Sequence, residues 1–352
     1  MYPAGIRNPT RGIPRMTHVS LPFAGHLDRA QFALQALRAG TLLARTVQQE
    51  NVIPAEAKTD RSPVTVADYA VQALVGGMLE ASFPGESLMA EEDSRALRAG
   101  LPSMAGLVRD HVRRFMPAAS LDEIYRWIDL GGASTERAYW VLDPVDGTKG
   151  FLRNDHYVVA LAWIESGRVV LGGLGCPRLA SPGDRTDPAG SVVLAVRGEG
   201  AWITPLESDH WHRLGVSREA RPQKARLLRS FEAGHTDERM LDELARRLGC
   251  EAPPVRMDSQ AKYARLALGE AELLFRLLSP ARPDYCEKAW DQAAGSIIVE
   301  EAGGQVTDLR GESLDFGRGR ELAANIGVLA SNGRMHDAAL RALEALGANR
   351  RP

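Results

Sequence analysis

The sequence predicts a protein built from mixed α and β layers rather than from regular strand–helix–strand repeats. Short apolar runs typical of strands cluster between residues 138 and 205, and they follow patterns that indicate helices. Irregularly alternating strand and helix patterns then continue to the end of the chain. With 352 residues, of which 44% are hydrophobic, the chain can bury a substantial core as two domains or as one large layered unit.

Two helices are predicted near the start of the chain, and the first of them is amphipathic. Apolar residues recur at helical spacing from Asp28 to Glu50, with Asp28 as the N-cap, and again from about Ala67 to Phe83. The stretch "ESLMAEED" then predicts a short strand that ends in acidic residues. Residues 95–137 carry no clear strand pattern, and we expect a mostly helical or irregular surface insertion there.

The middle of the chain predicts antiparallel strands. "AYWVLD" is typical of a buried strand. "HYVVALAWIESGRVVLGGLGCP" predicts a hairpin that turns at Ser166 and Gly167, and "SVVLAVRGEGAWIT" predicts another that turns between Gly198 and Gly200.

The second half of the chain alternates between the two patterns. Strands are predicted in "KARLLRSF", "EAELLFRLL" and "IGVLASN". Helices are predicted in "TDERMLDELARRLG", "DSQAKYARLALG" and "WDQAAGSIIVEEAGG", and from Met335 to Leu346. Asp258 or Ser259 is a candidate cap for the second of these helices, and Gly303 is expected to end the third.

We expect three regions along the chain: a flexible tail over residues 1–25, an N-terminal subdomain over 26–206 and a C-terminal subdomain over 207–347. The first residues contain Arg, Pro and Gly without the apolar segment of a signal peptide, and Met16 is an alternative start. Residues of both subdomains are expected to meet at their junction.

Bulk charge and cysteine content narrow the functional classes. The formal net charge is −2, from 43 Lys and Arg against 45 Asp and Glu, so no broad field favours nucleic acid or an anionic membrane. The three cysteines have unrelated spacings that fit neither a zinc pattern nor a disulfide framework, which favours a reducing, cytoplasmic compartment. No apolar run approaches the roughly 20 residues of a membrane helix.

The stretch "WVLDPVDGTKGF" sets Asp143 and Asp146 three residues apart after a short apolar run. Pro144 favours a turn, and Gly147 leaves room for an approaching ligand. Such a turn can aim two carboxylates and the carbonyl of Val145 at one point, where a hard cation such as Mg²⁺ takes oxygen ligands. A solvated Asp/Gly loop explains this short motif equally well.

Four further acidic residues, in three segments of the chain, change that balance. Glu91 and Glu92 end the short apolar run upstream, where carboxylates can project into a site. Asp68 lies where a turn enters a helix, and Asp291 begins a helix directly after Trp290. Each of these positions alone is explained by a solvated strand end or a helix cap.

Taken together, "LDPVDGTKGF", the upstream "AEED" and the downstream "WDQAAGSIIVEEAGG" resemble the signature of the Mg²⁺-dependent, lithium-sensitive phosphatases. That superfamily includes inositol monophosphatase, fructose-1,6-bisphosphatase and 3′(2′),5′-bisphosphate nucleotidase. The resemblance extends from about residue 27 to 347. It implies an α+β fold, a layered αβαβα sandwich with mixed and antiparallel sheets, and two or three Mg²⁺ ions, with inhibition by Li⁺.

Within that superfamily, "KTDRSPVTVADYAVQALV", "GTKGFLR", "MDSQAKYARLALGEAELLFRL" and "EKAWDQAAG" are most similar to the bisphosphate nucleotidase branch. This implies a small-molecule substrate, with hydrolysis of the 3′-phosphate of adenosine 3′,5′-bisphosphate to AMP and phosphate. Some members of the branch also accept the sulfated precursor. The alternatives are an inositol phosphate or sugar bisphosphate phosphatase, or a non-catalytic regulator that binds nucleotide or metal.

The resemblance also assigns roles to individual residues. It implies that Asp68 and Thr148 orient and deprotonate the attacking water. The implied metal ligands are Glu91, Asp143, the carbonyl of Val145, Asp146 and Asp291. The implied substrate contacts are Gly147, Thr148, His235, Ser259, Lys262, Arg276 and Asp291. On the residues alone, a helix cap explains Ser259 better than a ligand contact does, and ordinary surface charges are the alternative interpretation of Lys262 and Arg276.

Overall fold

The computed structural model describes residues 20–50, 55–57, 63–100, 102–133, 137–182, 190–231 and 237–351. In this part of the chain, layers of helices alternate with two large β-sheets. The expectation of a layered αβαβα sandwich with mixed and antiparallel sheets is therefore confirmed.

Most of the described helices have lengths that are ordinary for globular proteins, and a few are only one to two turns long. They are α1 (Leu27–Gln49), α2 (Val66–Ser82), α3 (Arg95–Gly100), α4 (Pro102–Val112), α5 (Leu121–Asp129), α6 (Thr148–Leu152), α7 (Glu238–Leu248), α8 (Ala261–Ala267), α9 (Ala289–Glu301) and α10 (His336–Ala345).

The described strands fall into two large sheets and one small two-stranded ribbon. They are β1 (Ala55–Ala57), β2 (Pro63–Thr65), β3 (Leu88–Ala90), β4 (Ala138–Asp146), β5 (Val158–Glu165), β6 (Arg168–Cys176), β7 (Ser191–Val196), β8 (Gly200–Pro205), β9 (His212–Arg213), β10 (Leu227–Arg229), β11 (Val255–Arg256), β12 (Leu273–Arg276), β13 (Gln305–Thr307) and β14 (Val328–Ser331).

The larger sheet has seven strands in the order β3-β4-β5-β6-β7-β8-β9. Strands β4 to β9 are antiparallel neighbours, and both predicted hairpins are present. Only β3 runs parallel to its neighbour β4. Side chains alternate across this sheet, so Trp140 and Leu142 enter one core while Tyr139 and Val141 enter another. Both faces are buried, which explains the nearly continuous apolar runs in these strands.

One face of this sheet packs on α1 and α2, which form an outer helical layer together with α4 and α5. The prediction of a surface insertion over 95–137 is therefore wrong in one respect. Its helices bury Val108, Ile124 and Ile128 completely against the first core. The helical content was expected, but the apolar stripes of α4 and α5 are short and interrupted by polar residues.

The other face of the sheet packs on the central helices α8 and α9. The approach of α9 to β6 is so close that a Cβ on Gly172 would lie 2.5 Å from Cγ2 of Ile297. Glycine in this strand therefore permits the helix to dock. The predicted end of α9 is confirmed, because Gly303 follows it with a φ of 90°.

The second sheet has five strands in the order β11-β10-β12-β14-β13 and covers the opposite side of α8 and α9. Its outer face packs on α7 and α10, where Leu241, Leu244 and Leu343 contribute to a third core. The short strands β9, β11 and β13 have no counterpart in the sequence prediction, because two or three residues are too few to show a period.

Two predictions about the start of the chain need correction. Helix α1 begins after His26, which has a left-handed conformation and no side-chain cap, so Asp28 lies in the first turn rather than at the N-cap. The end of the predicted tail is ordered against the core. Phe23 is buried beside Trp211, and the backbone N–H of Gly25 donates to Oε1 of Glu199 over 2.7 Å.

Some expectations stay predictions. Residues 1–19, which make up most of the predicted tail, lie outside the described residues. The subdomain boundary near residue 206 is also untested. Among the described helices, none combines the length and the apolar character that crossing a bilayer requires.

Buried His336 gives the fold a pH-sensitive contact. Its Nε2 lies 3.0 Å from Oγ1 of Thr307, whose own proton goes to the carbonyl of Asp308, so Nε2 is the protonated nitrogen. Its Nδ1 lies 2.9 Å from Oγ of Ser331 and is free to accept. Burial lowers the pKa of His336 from 6.5 to about 4 because the charged imidazolium is desolvated.

We expect this histidine to make the protein less stable in mild acid. The folded state favours neutral His336, so its contribution is complete above pH 6.5 and falls as the pH drops from 6.5 to about 4. The full loss is about 3 kcal/mol in the free energy of unfolding. Urea titrations of wild type and His336→Gln across this range check it. The variant should show a weaker pH dependence, and parallel curves would contradict the assignment.

Candidate active site

The site lies where β3 ends beside the last residues of β4. These strands are parallel and in register at Ala90 and Leu142, so the next residues, Glu91 and Asp143, lie at the same edge of the sheet. The backbone beyond β3 is held by the buried amide of Gln72, which accepts from the N–H of Glu92 at 3.0 Å and donates to its carbonyl at 2.7 Å. Glu91 is thereby fixed beside Asp143.

The two aspartates of the motif lie on an irregular strand end rather than in the predicted turn. Asp143 pairs with Ala160 and Asp146 with Val158, so β4 carries one extra residue between them. In a regular strand, side chains three positions apart face opposite sides. The extra residue brings the two carboxylates within range of mutual repulsion. The chain turns one residue later, at Gly147.

Gly147 is required by its conformation and by its surroundings. Its φ of 92° is left-handed, and a Cβ here would lie 2.9 Å from Cβ of Ser259. Ser259 is itself left-handed, with a φ of 65°, and it lies before α8 rather than capping it from the Ncap position, which Gln260 occupies. The close contact joins the aspartate strand to the second half of the chain.

Asp68 has two roles at once. Its Oδ2 accepts from the backbone N–H and the hydroxyl of Thr65, at 2.8 and 2.6 Å, which completes a capping box at the start of α2. Its Oδ1 lies 3.4 Å from Oγ1 of Thr148, which is also 3.2 Å from the carbonyl of Val145. The cap and the proposed water-activating pair therefore use different oxygens of one carboxylate.

Asp291 completes the acidic cluster from a separate layer. It lies in the first turn of α9, and its carboxyl interacts with those of Asp146 and Glu91. The structure thus brings together the five acids that the sequence separates by more than 200 residues: Asp68, Glu91, Asp143, Asp146 and Asp291.

This concentration of carboxylates is electrostatically unfavourable without a cation. Burial and then the charges of Glu91, Asp146, Asp291 and Asp68 raise the pKa of Asp143 well above its usual range. Burial and the charge of Asp146 likewise raise the pKa of Asp291 well above its usual range. A divalent cation among these groups would remove the repulsion, so the donor set has the chemistry of a Mg²⁺ site.

The carboxylates are neighbours without forming a closed ligand shell. Across the described residues, no three His, Cys, Asp or Glu side chains are already arranged around a point as they would be around an ion. Mg²⁺ retains several waters and takes substrate phosphate oxygens, so one or two carboxylates per ion satisfy it. The residues therefore fit such ions, with the Val145 carbonyl as a further oxygen donor.

Two buried cations lie next to the acids. Lys262 on α8 is only 5% exposed, and its ammonium forms no ion pair with a carboxylate of the described residues, although Asp146 and Asp258 attract it. Burial and the nearby charge of Arg276 lower the pKa of Lys262 to about 8. Arg276, at the end of β12, pairs with Glu287, with Nη2 to Oε2 at 2.8 Å and Nε to Oε1 at 3.3 Å. These are not the ordinary surface charges of the alternative interpretation.

The remaining predicted residues have mixed outcomes. His235 lies outside the described residues. Ser259 is 9% exposed, and its hydroxyl accepts from the N–H of Ala261 at 3.2 Å, so it satisfies the start of α8 as well as facing Gly147.

Sequence reasoning missed two residues that support the site. Glu287 holds Arg276 and also accepts from Nε2 of Gln292 at 2.6 Å. Gln260 donates its backbone N–H to Oδ2 of Asp146 at 2.5 Å. A buried amide or carboxylate between charged residues has no periodic signature, so neither residue was identifiable from its position in the sequence.

Comparisons with known proteins place the chain among its relatives. A profile of the inositol monophosphatase family matches residues 25–348. A 3′(2′),5′-bisphosphate nucleotidase of Oryza sativa is 38% identical over 348 residues, covering 92% of this chain and 94% of that protein. A protein of the same name from Schizosaccharomyces pombe is 36% identical over 321 residues, covering 86% of this chain and 90% of its own.

Solved structures show the same fold at lower identity. The IMPase of Thermotoga maritima superposes with a TM-score of 0.63 and 23% identity, covering 91% of this chain and 98% of its own. A staphylococcal inositol monophosphatase, described as a lithium chloride-soaked inhibitory complex, superposes with a TM-score of 0.58 and 20% identity over 88% of this chain and 92% of its own. The profile match and the two relatives, both above 30% identity, together establish that this chain belongs to the inositol monophosphatase family.

Proposed function

We propose that the protein is a Mg²⁺-dependent 3′(2′),5′-bisphosphate nucleotidase that releases the 3′-phosphate of adenosine 3′,5′-bisphosphate to give AMP. The observation that supports this proposal is that two clusters of opposite charge lie close together. One contains the five acids, and the other contains buried Lys262 and Arg276. The charges of Lys262 and Arg276 both act to lower the pKa of Asp146, so the two clusters are neighbours. A substrate with two phosphates separated by a ribose matches such a pair of subsites.

The acidic side would receive the phosphate that is cleaved. Glu91, Asp143, the carbonyl of Val145, Asp146 and Asp291 would hold Mg²⁺ there. When bound, Mg²⁺ supplies Lewis-acid chemistry, which makes water more acidic and offsets the charge that develops on the leaving oxygen. Inhibition by Li⁺ would follow if Li⁺ occupied the same site in place of Mg²⁺.

Asp68 and Thr148 would activate the attacking water. The Thr148 hydroxyl lies between Oδ1 of Asp68 and the carbonyl of Val145, so its proton can pass to Asp68 while its oxygen accepts a proton from water. Water oxygen then bonds to phosphorus as the bond to the ribose 3′-oxygen breaks, and that oxygen takes up a proton to become the 3′-hydroxyl of AMP. Asp68 is 1% exposed, and the hydrogen bond from the N–H of Thr65 holds its carboxylate in one orientation.

The basic side would receive the 5′-phosphate. Lys262 provides a buried ammonium that forms no ion pair with a carboxylate of the described residues, so an incoming phosphate gains a desolvated partner. Arg276 is already paired with Glu287 and would contribute its remaining N–H donors in a fixed orientation. An inositol monophosphate has no second phosphate to use these groups.

A phosphate-release panel with Mg²⁺ tests the proposal. It compares adenosine 3′,5′-bisphosphate, its sulfated relative, inositol 1-phosphate, inositol 1,4-bisphosphate and fructose 1,6-bisphosphate, each with and without Li⁺. We expect the highest kcat/KM for the adenosine compounds and inhibition by Li⁺. A preference for an inositol or sugar phosphate would overturn the nucleotidase assignment and support the other branches of the family.

Lys262→Met separates the two subsites. We expect the KM for adenosine 3′,5′-bisphosphate to rise about 10- to 100-fold, because a hydrogen bond to a charged group contributes about 1.5–3 kcal/mol. The KM for inositol 1-phosphate should change little. Lys224→Met, at an exposed position in the second half of the chain, is the matched control. Equal losses on both substrates would contradict a subsite for the second phosphate.

A further inference from the structure

One buried amide joins three segments of the active site. The backbone N–H of Gln260 donates to Oδ2 of Asp146 at 2.5 Å. Its side-chain Nε2 donates to the carbonyl of Trp290 at 2.9 Å, and its Oε1 accepts from the N–H of Gly295 at 3.0 Å. Gln260 itself is 2% exposed and directly precedes α8.

The geometry selects an amide at this position. Nε2 must donate to a carbonyl while Oε1 accepts from an N–H, and a primary amide provides one donor group and one acceptor group at that spacing. A carboxylate would place an acceptor against the Trp290 carbonyl, and an apolar side chain would leave these contacts unmade. Both polar ends are therefore satisfied only by glutamine at this length.

The three contacts of Gln260 restrain the distance between the end of β4 and the start of α9, which secondary structure alone does not determine. Asp146 belongs to the first sheet, whereas Trp290 and Gly295 flank Asp291 on α9. Gln260 connects the sheet to α9. Its backbone N–H bonds to Asp146, and its side chain bonds to the turn of α9 that carries Asp291. Arg320 adds a second restraint, with its guanidinium 4.6 Å from the Trp290 ring centroid.

We propose that Gln260 is a positioning residue that sets the separation of Asp146 and Asp291 and links it to the segment carrying Ser259 and Lys262. The inference rests on the proposed metal chemistry of the site. Metal binding and nucleotide binding then both favour the arrangement in which Gln260 makes all three contacts over arrangements in which it does not. Each ligand raises the affinity for the other by the same factor, because binding linkage is reciprocal.

Gln260→Met tests this proposal with readouts other than turnover. Methionine keeps the length of the side chain and removes its donor and acceptor without adding charge. We expect the Kd for Mn²⁺, measured by electron paramagnetic resonance of the substrate-free protein, to rise about 5- to 10-fold. In wild type, saturating AMP should lower that Kd, and in the variant the AMP effect should shrink towards a factor of one. The kcat should fall about 10- to 100-fold.

Asn325→Leu is the matched control for the loss of a buried amide. Its side chain accepts from the N–H of Asp315 at 2.9 Å and donates to the carbonyl of Ser313 at 3.0 Å, in a loop that contributes no proposed site residue. Both variants should lower Tm, but only Gln260→Met should change the Kd for Mn²⁺. Wild-type Mn²⁺ affinity and AMP effect in Gln260→Met would overturn the proposal.

The two proposals fail in different ways. If wild type hydrolyses none of the adenosine bisphosphates, the nucleotidase assignment fails. A raised Kd for Mn²⁺ in Gln260→Met would still support the positioning role, because that measurement needs no substrate.

Discussion

Asp146→Asn should reduce kcat/KM at least about 10³-fold, which corresponds to about 4 kcal/mol of lost transition-state stabilisation. Asp146 is the acid at the centre of the site, within range of Asp143, Asp291, Lys262 and Arg276. Asparagine retains the shape and can still accept from the N–H of Gln260, but it removes the negative charge that a divalent cation requires. Steady-state phosphate release under saturating Mg²⁺ measures the loss.

The same substitution should leave the metal-free protein at least as stable as wild type. Burial raises the pKa of Asp146, and its charge also raises the pKa of Asp143 and Asp291, so removing it relieves repulsion. The rise in Tm on adding Mg²⁺ should become smaller, because that rise depends on binding to the folded state. Exposed Asp122→Asn is the matched control. Undiminished turnover by Asp146→Asn would refute the metal assignment.

Thr148→Val should lower kcat about 10²- to 10³-fold with a much smaller change in KM, because valine keeps the shape of threonine without the hydroxyl that relays the proton. Asp68→Asn should cause a loss of the same order or larger, since an amide cannot accept that proton. Asp68→Asn should also destabilise α2 by about 1 kcal/mol, because the capping box with Thr65 is disturbed. Single-turnover phosphate release measures the chemical step directly.

The relay makes a further distinction possible. If Asp68 and Thr148 act as one unit, the double variant should be no slower than the slower single variant. Thr148→Ser should restore most of the activity. Thr46→Val, which removes a hydroxyl bonded to the carbonyl of Leu42 on α1, is the matched control. Independent, multiplicative losses would show that the two residues act separately.

The fold was predictable where apolar periods were long. Helices α1, α2 and α9 and the two hairpins of the first sheet lie within a few residues of the predicted positions. The caps were less predictable. His26 precedes α1 in a left-handed conformation without a side-chain bond, and no rule of composition favours histidine there. The burial of α4 and α5 depends on their contact with α2. That contact joins segments distant in the sequence, so no local sequence pattern predicts it.

The site was predictable as a set of acids and not as a geometry. The motif indicated Asp143 and Asp146, but the extra residue in β4 that directs them depends on pairing with Val158 and Ala160. Asp68 was an ambiguous cap until the structure showed its second oxygen next to Thr148. Buried supports such as Gln260 became visible only through contacts with residues distant in the sequence.

Anomalous scattering from crystals grown with Mn²⁺ and AMP would test the central claim most directly. We predict anomalous peaks bounded by the carboxylates of Glu91, Asp143, Asp146 and Asp291, with metal–oxygen distances of about 2.0–2.6 Å. Crystals of Asp146→Asn should lose at least one of these peaks. Manganese bound elsewhere on the molecule, with no peak between the end of β4 and the start of α9, would contradict the account.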